Sequence, residues 1–188
     1  MKFKKIGVTI MLSFTTSLLT VGCTNENEIS HETVDQVKVD DIKEPIQEKF
    51  NQTMALAEKG DAEAQYNLGW MYSNGEGVES DETVTAQWFQ KAADQGHIKA
   101  LYNLGVMYRD GVGVPQDDIK SADYLLKAAD QGYAPAQFNL GTLYFEGRGV
   151  PQDDIKAADY FLKAADQGVA DAQYNIGYMY YHGRGVAQ

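Results

Sequence analysis

The sequence contains a single cysteine, Cys23, among its 188 residues. One thiol cannot form an internal disulfide and cannot build a zinc site from several cysteines. Histidine is also scarce, and the three histidines lie far apart in the sequence, at His31, His97 and His182. These shortages exclude a disulfide-stabilised scaffold, and the sequence predicts neither a metal site nor a cofactor.

Basic residues are outnumbered by acidic ones, 16 to 27, which gives a formal net charge of -11. Nucleic-acid binding depends on a basic surface that neutralises phosphates, so we exclude nucleic acid as the ligand. The chain is 44% hydrophobic and 23% charged, as is usual for a soluble globular fold. Its length is sufficient for one domain with a substantial core.

Catalytic motifs are also lacking. The sequence has no S-x-x-K, G-x-S-x-G or H-E-x-x-H motif and no phosphate-binding G-x-x-x-x-G-K-[ST] loop. Two carboxylate pairs, Asp117–Asp118 and Asp153–Asp154, could form acid pairs or calcium sites. They recur 36 residues apart and lack the alternating oxygen ligands of a calcium loop, so we interpret them as helix caps. The sequence therefore predicts a protein that is not an enzyme.

The first 22 residues have the pattern of a signal peptide. A basic start, MKFKK, precedes the uncharged and mostly apolar run IGVTIMLSFTTSLLTVG, which is short for a membrane span. The sequence LTVGC that ends at Cys23 resembles the lipobox of bacterial lipoproteins. This resemblance implies cleavage before Cys23, a lipid on its sulfur and an acylated amino terminus, and hence an anchor in the bacterial envelope, at the outer membrane or the periplasmic face. The alternative is an ordinary signal peptide followed by an incidental cysteine.

Residues 23–45 predict a flexible acidic tether. Within residues 24–44, seven acidic residues accompany two lysines, and no residue is aromatic. Such a segment cannot offset its ordering entropy by burying apolar surface. We expect it to hold the following domain, residues 46–188, away from a membrane surface.

That domain repeats itself every 36 residues. The four copies begin with AEAQYNLGWMYSNGEGV at Ala62, IKALYNLGVMYRDGVGV at Ile98, APAQFNLGTLYFEGRGV at Ala134 and ADAQYNIGYMYYHGRGV at Ala170. A fixed period of this size is typical of a solenoid. Apolar and small residues at helical spacing predict a first helix in each copy, helix A, which the paired glycines end. The segments PQDDIKSAD and PQDDIKAAD open a second helix, helix B, which DQG ends.

Two polar or small positions recur inside helix A. Glycine occupies positions 69, 105, 141 and 177, although mid-helix glycine costs up to about 1 kcal/mol relative to alanine. We expect a neighbouring helix to approach these glycines so closely that a side chain would clash. Asparagine occupies positions 67, 103, 139 and 175. These amides could bind a peptide backbone, or they could form a repeated internal hydrogen bond between helices.

The pattern AxAQxxLGxxYxxGxGV, followed by a helix that ends in KAADQG, resembles the Sel-one-like repeat, a relative of the tetratricopeptide repeat, over residues 48–188. The resemblance implies an all-α fold: an α/α right-handed solenoid of tetratricopeptide-like helix pairs, with helix A on the concave side. The repeats would span about 61–96, 97–132 and 133–168, with a partial repeat at 169–188. Members of this family typically act as adaptors that hold other proteins. The cysteine-rich secreted branch is excluded, because these repeats contain no cysteine.

The helix A face opposite the buried stripe is the predicted ligand-binding surface. The predicted contacts are aromatic or cationic side chains, namely Tyr66, Trp70, Tyr102, Arg109, Phe138, Phe145, Tyr174, Tyr178 and Tyr181. The first aromatic residue of each helix A could instead pack against the neighbouring repeat. The leading hypothesis is a membrane-anchored scaffold that binds a protein or peptide. The alternative is a cell-wall carbohydrate binder or a hydrolase-type enzyme of the envelope.

The fourth helix A has no helix B after it, because the sequence ends at Gln188. The terminal repeat of a solenoid needs a polar outer face. Two explanations stay open at this point: the chain is truncated within a repeat, or the exposed surface pairs with another molecule, such as a second copy of the chain.

Overall fold

The computed structural model describes residues 31–186, and these residues form eight α-helices without a strand. The helices, in chain order, are α1 (His31–Glu58), α2 (Ala62–Asn74), α3 (Glu82–Asp94), α4 (Ile98–Asp110), α5 (Asp118–Asp130), α6 (Ala134–Glu146), α7 (Asp154–Asp166) and α8 (Ala170–His182). Helices α2, α4, α6 and α8 are the helix A of successive repeats, and α3, α5 and α7 are the helix B.

Each helix packs chiefly on the helix before it and the helix after it in the chain. This order is that of a solenoid, in which a repeat contacts only its neighbours. The predicted all-α solenoid of helix pairs is therefore confirmed. No helix of the described residues is long and apolar enough to cross a membrane.

The core lies between helices A and B. Large residues of helix A and one large residue of each helix B (Phe89, Leu125 or Phe161) are packed there among small residues of helix B. Leu68, Leu104 and Leu140 are at most 1% exposed, and Ala92 and Ala128 are fully buried. Alanine on helix B lets the helices approach closely enough for the leucines to fill the space between them.

Three of the four mid-helix glycines lie close to a neighbouring helix, as predicted, and that helix is helix B of the same repeat. A Cβ atom built on Gly69 would lie 2.6 Å from the ring of Phe89. A Cβ on Gly105 would lie 2.7 Å from Leu125 Cγ, and one on Gly141 would lie 2.9 Å from the ring of Phe161. The close-approach prediction is confirmed for these three repeats.

The first aspartate of each predicted carboxylate pair caps a helix B. Asp117 accepts hydrogen bonds from the backbone N–H groups of Ile119 and Lys120, and Asp153 does the same one repeat later. An aspartate at this position satisfies backbone donors that have no partner inside the helix. The capping interpretation of the two pairs is confirmed.

The second aspartate of each pair joins one repeat to the next. Asp118 receives hydrogen bonds from Nε and Nη2 of Arg148 at 3.2 and 2.8 Å. Asp154 receives the corresponding bonds from Arg184 at 2.9 and 2.8 Å. Bidentate pairs of this kind fix geometry as well as charge. They lie beside the turn after helix A and hold it against the preceding helix B.

The segment before the first repeat differs from the predicted flexible tether. Residues 31–45 belong to α1, which contains Pro45, and residues 23–30 lie outside the described residues, as do the predicted signal peptide and Cys23. Phe50 and Ala57 of α1 are buried against α2, where they take the place of a helix B. Extending an existing helix costs far less than starting one, and a helix satisfies its own backbone hydrogen bonds. Acidic composition therefore did not exclude helix formation here.

Candidate functional site

The predicted contact residues lie along one side of the helix A series, which we call the helix A face. It is defined by the equivalent positions Trp70, Val106, Thr142 and Tyr178, which lie 36 residues apart on α2, α4, α6 and α8. Trp70 and Tyr178 are 41% and 42% exposed, so two large rings lie open at the first and last helix A of the series. Valine and threonine occupy the two helices between them.

The first aromatic residue of helix A packs between repeats. The ring of Tyr66 stacks on His97 of the next repeat at 4.4 Å and on Phe89 at 5.5 Å. Tyr102 meets Tyr133 of the following repeat edge to face at 5.2 Å. These rings are half-buried, and so is Phe138, whose ring lies 5.9 Å from Phe161 on helix B of its own repeat. They contribute their edges to the helix A face and most of their surface to packing.

The C-terminal part of the face holds a cluster of more open rings. Phe145 and Tyr178 meet edge to face at 6.5 Å. Tyr174 is 75% exposed and Tyr181 is 84% exposed among the described residues. Phe145, Tyr174 and Tyr178 line a cavity of about 360 Å³ between α6 and α8, which we call the α6/α8 cavity.

Two charged side chains of the α6/α8 cavity were not among the predicted contacts: Glu146 and Arg184. Glu146 follows Phe145 directly at the end of α6, and Arg184 lies in the turn HGRGV. Their positions in the repeat motif were the available signal, because a residue beside a helix terminus faces the same groove as the last turn of the helix.

The charge of Arg109 is already matched within the chain. Its Nε and Nη2 donate to the two carboxylate oxygens of Asp110 at 2.8 and 3.1 Å. This hydrogen bond, with the nearby negative charge of Asp110, raises the pKa of Arg109 above its ordinary value against the opposing effect of burial. Arg109 therefore lies on the face as half of an ion pair with Asp110.

The repeated interhelical hydrogen bonds come from glutamine. Gln65 Nε2 donates to the carbonyl oxygen of Ala57 at 3.1 Å, and Gln95 Nε2 donates to Gln65 Oε1 at 2.8 Å. Gln137 and Gln167 repeat this arrangement 72 residues later. These glutamines form the repeated hydrogen bonds between helices that asparagine could have formed.

The asparagine row is largely free of such bonds. Asn67 is exposed and the other three are half-buried, and one contact joins the row to another side chain: Asn139 Nδ2 lies 3.5 Å from the hydroxyl of Tyr102. A hydrogen bond of that length is weak. The hypothesis of an internal asparagine ladder is therefore not supported, and the amides remain available on the helix A face.

A second cavity, of about 270 Å³, lies at the other end of the face, where Asn67, Trp70 and Met71 meet Lys49 and Glu76. Lys49 Nζ and Glu76 Oε1 form an ion pair at 2.8 Å across this cavity. Within residues 31–186, no cluster of histidine, cysteine, aspartate and glutamate has the arrangement of a metal site. The face thus offers aromatic rings, amides and paired charges for binding.

The chain is similar to a number of solved structures, and two of them are described first. The structure of c5321, described as a protective antigen present in uropathogenic Escherichia coli strains and displaying an SLR fold, is 40% identical with a TM-score of 0.71, over 73% of this chain and 30% of that one. A Sel1 repeat protein from Oxalobacter formigenes is 31% identical with a TM-score of 0.72, over 82% of this chain and 63% of that one. This chain thus spans less than two thirds of either protein.

The Helicobacter pylori cysteine rich protein B is similar in fold alone, at 21% identity and a TM-score of 0.55, over 68% of this chain and 94% of that one. No curated protein sequence matches the chain.

The Sel1 repeat profile matches four consecutive segments of the chain, residues 62–97, 98–133, 134–169 and 170–188. They begin one residue after the repeat starts predicted from the sequence. Proteins with Sel1 repeats generally bind protein partners as scaffolds and are generally not enzymes. Because the four segments cover more than half of its length, this chain belongs to the Sel1 repeat family.

Proposed function

We propose that this protein is a lipid-anchored scaffold of the bacterial envelope that binds a protein or peptide through the helix A face, on the concave side of the solenoid. The observation that carries the proposal is the exposure of Trp70 and Tyr178 at equivalent positions of the first and last helix A. Tryptophan and tyrosine dominate the binding energy of protein interfaces, where truncation of such a residue costs about 2 kcal/mol or more.

The asparagine row supports a peptide in extended conformation. Each amide offers both a donor and an acceptor, and a peptide backbone presents acceptors and donors in turn. Asn67, Asn103, Asn139 and Asn175 recur on successive helices, while the glutamines take the structural bonds. A backbone bound by this row would place its side chains toward the rings at the two ends of the face.

Cys23 would attach the scaffold to the membrane. The support is the basic start, the apolar run and the lipobox-like end of the first 22 residues. Two or more acyl chains anchor a protein stably, whereas one anchors it only marginally. Cys23→Ser should move the protein from the membrane fraction to the soluble fraction, and mass spectrometry of the parent should find an acylated Cys23. Retention of the variant in the membrane fraction would show that the cysteine is not the anchor.

Site-specific photocrosslinking tests the scaffold role. A photoreactive amino acid is placed at Trp70 or Tyr178 in cells, and at Ile155 as a control, which is 72% exposed on helix B. The same partner protein should be captured from both helix A positions and not from Ile155. Capture of equal strength at Ile155, or at no position, would contradict the proposal.

The same experiment separates the alternatives. Capture of wall polymer in place of protein would favour the carbohydrate binder, and capture of a second copy of the chain would favour self-association. As a further check, Trp70→Ala and Tyr178→Ala should each lower capture and leave the melting temperature near that of the parent, because both side chains are over 40% exposed. Tyr102→Ala, which removes a packed ring, should lower the melting temperature first.

A further inference from the structure

The α6/α8 cavity has aromatic walls and one acidic group. Tyr174 and Tyr178 present open ring surface, and Phe145 meets Tyr178 edge to face. Glu146 and Arg184 are the charged residues of the lining. The chemistry that fits the cavity therefore depends on which of these two charges is free to meet a ligand.

Arg184 is not free. Its Nε and Nη2 bind both oxygens of Asp154 at 2.9 and 2.8 Å, and its guanidinium carbon lies 4.1 Å from the ring centroid of Phe145. The hydrogen bond with Asp154 raises the pKa of Arg184 above its ordinary value. The pair is electrically neutral, and the guanidinium covers one surface of Phe145 with a cation from the chain itself.

Glu146 is poorly matched. Its one ion pair among the side chains of residues 43–186 is with Arg148, whose Nη1 lies 3.8 Å from Glu146 Oε2. Arg148 itself is held by Asp118 through two shorter hydrogen bonds. Glu146 therefore shares Arg148 with Asp118, and Asp118 makes the closer contacts.

The preceding junction, between α4 and α6, shows what occupies this position elsewhere in the chain. Arg109 and Asp110 stand there at the places of Phe145 and Glu146, and they form a bidentate pair. That junction supplies its own cation to its own carboxylate. In the α6/α8 cavity the arginine is replaced by phenylalanine, so Glu146 has no arginine directly before it in the sequence. The two arginines near Glu146, Arg148 and Arg109, are each bound more closely by an aspartate.

We propose that the α6/α8 cavity binds a lysine or arginine side chain of the partner, with the cation against the rings of Tyr174 and Tyr178 and paired with Glu146. Cations are attracted to the faces of aromatic rings, and a carboxylate beside the rings adds a direct ion pair. A basic partner segment also complements the net charge of -11. This inference rests on the proposed function, since it names the chemistry of the segment that the helix A face recognises.

The test uses the full chain and two small probes in NMR titrations. N-acetylarginine amide carries the cation, and N-acetylcitrulline amide has nearly the same shape without the charge. The arginine probe should shift the ring resonances of Tyr174 and Tyr178 saturably at millimolar concentration, and citrulline should bind about threefold to tenfold more weakly. Equal binding of both probes, or no saturable shift with arginine, would overturn the inference.

Three variants locate the effect. Glu146→Gln should weaken arginine binding about threefold to tenfold, whereas Glu79→Gln, which removes the same charge from an exposed turn, should leave it unchanged. Phe145→Arg copies the preceding junction and should abolish binding by placing an internal cation beside Glu146. Circular dichroism melting confirms that each variant is folded. An unchanged affinity in both Glu146→Gln and Phe145→Arg would also overturn the inference.

The outcome is independent of the crosslinking test. Partner capture at Tyr178 combined with no charge-dependent arginine binding would leave the scaffold role intact and refute the cationic side chain. Charge-dependent arginine binding without any captured protein would support the cavity chemistry and refute the scaffold.

Discussion

The glycine at position 105 gives the sharpest test of the packing that holds this solenoid together. A Cβ atom on Gly105 would lie 2.7 Å from Leu125 Cγ, 2.9 Å from Leu125 Cδ2 and 3.3 Å from the Leu125 backbone nitrogen. Leu125 is fully buried, so it has little space in which to move aside. On α8 the equivalent glycine, Gly177, has no atom of the described residues within 4 Å of such a Cβ.

The two alanine substitutions should therefore have opposite signs. Alanine is favoured over glycine inside a helix by about 1 kcal/mol, and this gain applies at both positions. Overpacking a closely packed core costs about 1–3 kcal/mol, and this cost applies only at Gly105. Gly177→Ala should raise the free energy of unfolding by up to about 1 kcal/mol. The free energy of unfolding of the Gly105→Ala variant should be about 1–3 kcal/mol lower than that of the Gly177→Ala variant, and that of the Gly105→Leu variant should be lower still.

Urea denaturation followed by circular dichroism measures these differences, provided that the m-value stays constant. A double-mutant cycle identifies the contact, because Leu125→Ala removes the atoms that the new methyl group would meet. In the Leu125→Ala background, Gly105→Ala should become neutral or stabilising. Equal stability changes for Gly105→Ala and Gly177→Ala, or no coupling to Leu125, would refute the close-contact explanation of these glycines.

Three further substitutions follow from particular contacts. Ser121→Ala should raise stability by about 1 kcal/mol, because the buried Ser121 hydroxyl has no hydrogen-bond partner among the described residues; a loss of stability would show that it does have one. Val112→Arg should add a bidentate pair with Glu82 like those of the later repeats and stabilise by about 0.2–1 kcal/mol at low salt; a gain that persists at high salt would contradict an ionic origin. Gly149→Ala should cost about 2 kcal/mol or more, because φ is 68° and the new Cβ would overlap the carbonyl group of Asp118; a melting temperature equal to that of the parent would disprove this contact.

The features that could be predicted from the sequence are those that local chemistry determines. Asp117 and Asp153 were identifiable as caps, because an aspartate ahead of an apolar-periodic segment satisfies the free N–H groups of a helix start wherever it occurs. Gly105 was identifiable as a close contact, because glycine recurs at this mid-helix position although it destabilises a helix relative to alanine and no turn requires it there. The 36-residue period then determined the order of packing, since a repeat of this size buries its apolar surface only against its neighbours.

The features that could not be predicted depend on how one repeat is placed against the next. Arg148 and Asp118 are 30 residues apart, and nothing local to either residue indicates the pairing. The choice between Gln65 and Asn67 as the structural amide needed the direction of each side chain relative to the preceding helix B. Only the structure shows that Gln65 points toward Ala57.

The binding residues fall between these two cases. The helical wheel placed Trp70, Phe145 and Tyr178 on one face, and the structure places all three there, on the linings of its two cavities. A helical wheel gives the direction of a charged side chain but does not show whether the chain itself already pairs that charge. Arg109 was predicted as a cationic contact for a ligand, and only the structure shows that its neighbour Asp110 is paired with it.

Different positions of the repeat have different structural roles, and this explains how the exposed residues can differ from repeat to repeat while the packing stays the same. Leucine, alanine and glycine positions carry the core, aspartate and glutamine positions carry the caps and interhelical bonds, and each set is nearly constant along the chain. The position of Trp70 holds tryptophan, valine, threonine and tyrosine in the four repeats, and its tryptophan and tyrosine are over 40% exposed, although Trp70 also meets the core ring of Phe89 at 6.2 Å. Because exposed substitutions change stability by only a few tenths of a kcal/mol, about 0.5 at most, such positions are free to be selected for binding. In the proposed scaffold, differences among repeats at these positions determine which ligand is bound, and the inference of a cationic side chain rests on one such difference, the replacement of Arg109 by Phe145 one repeat later.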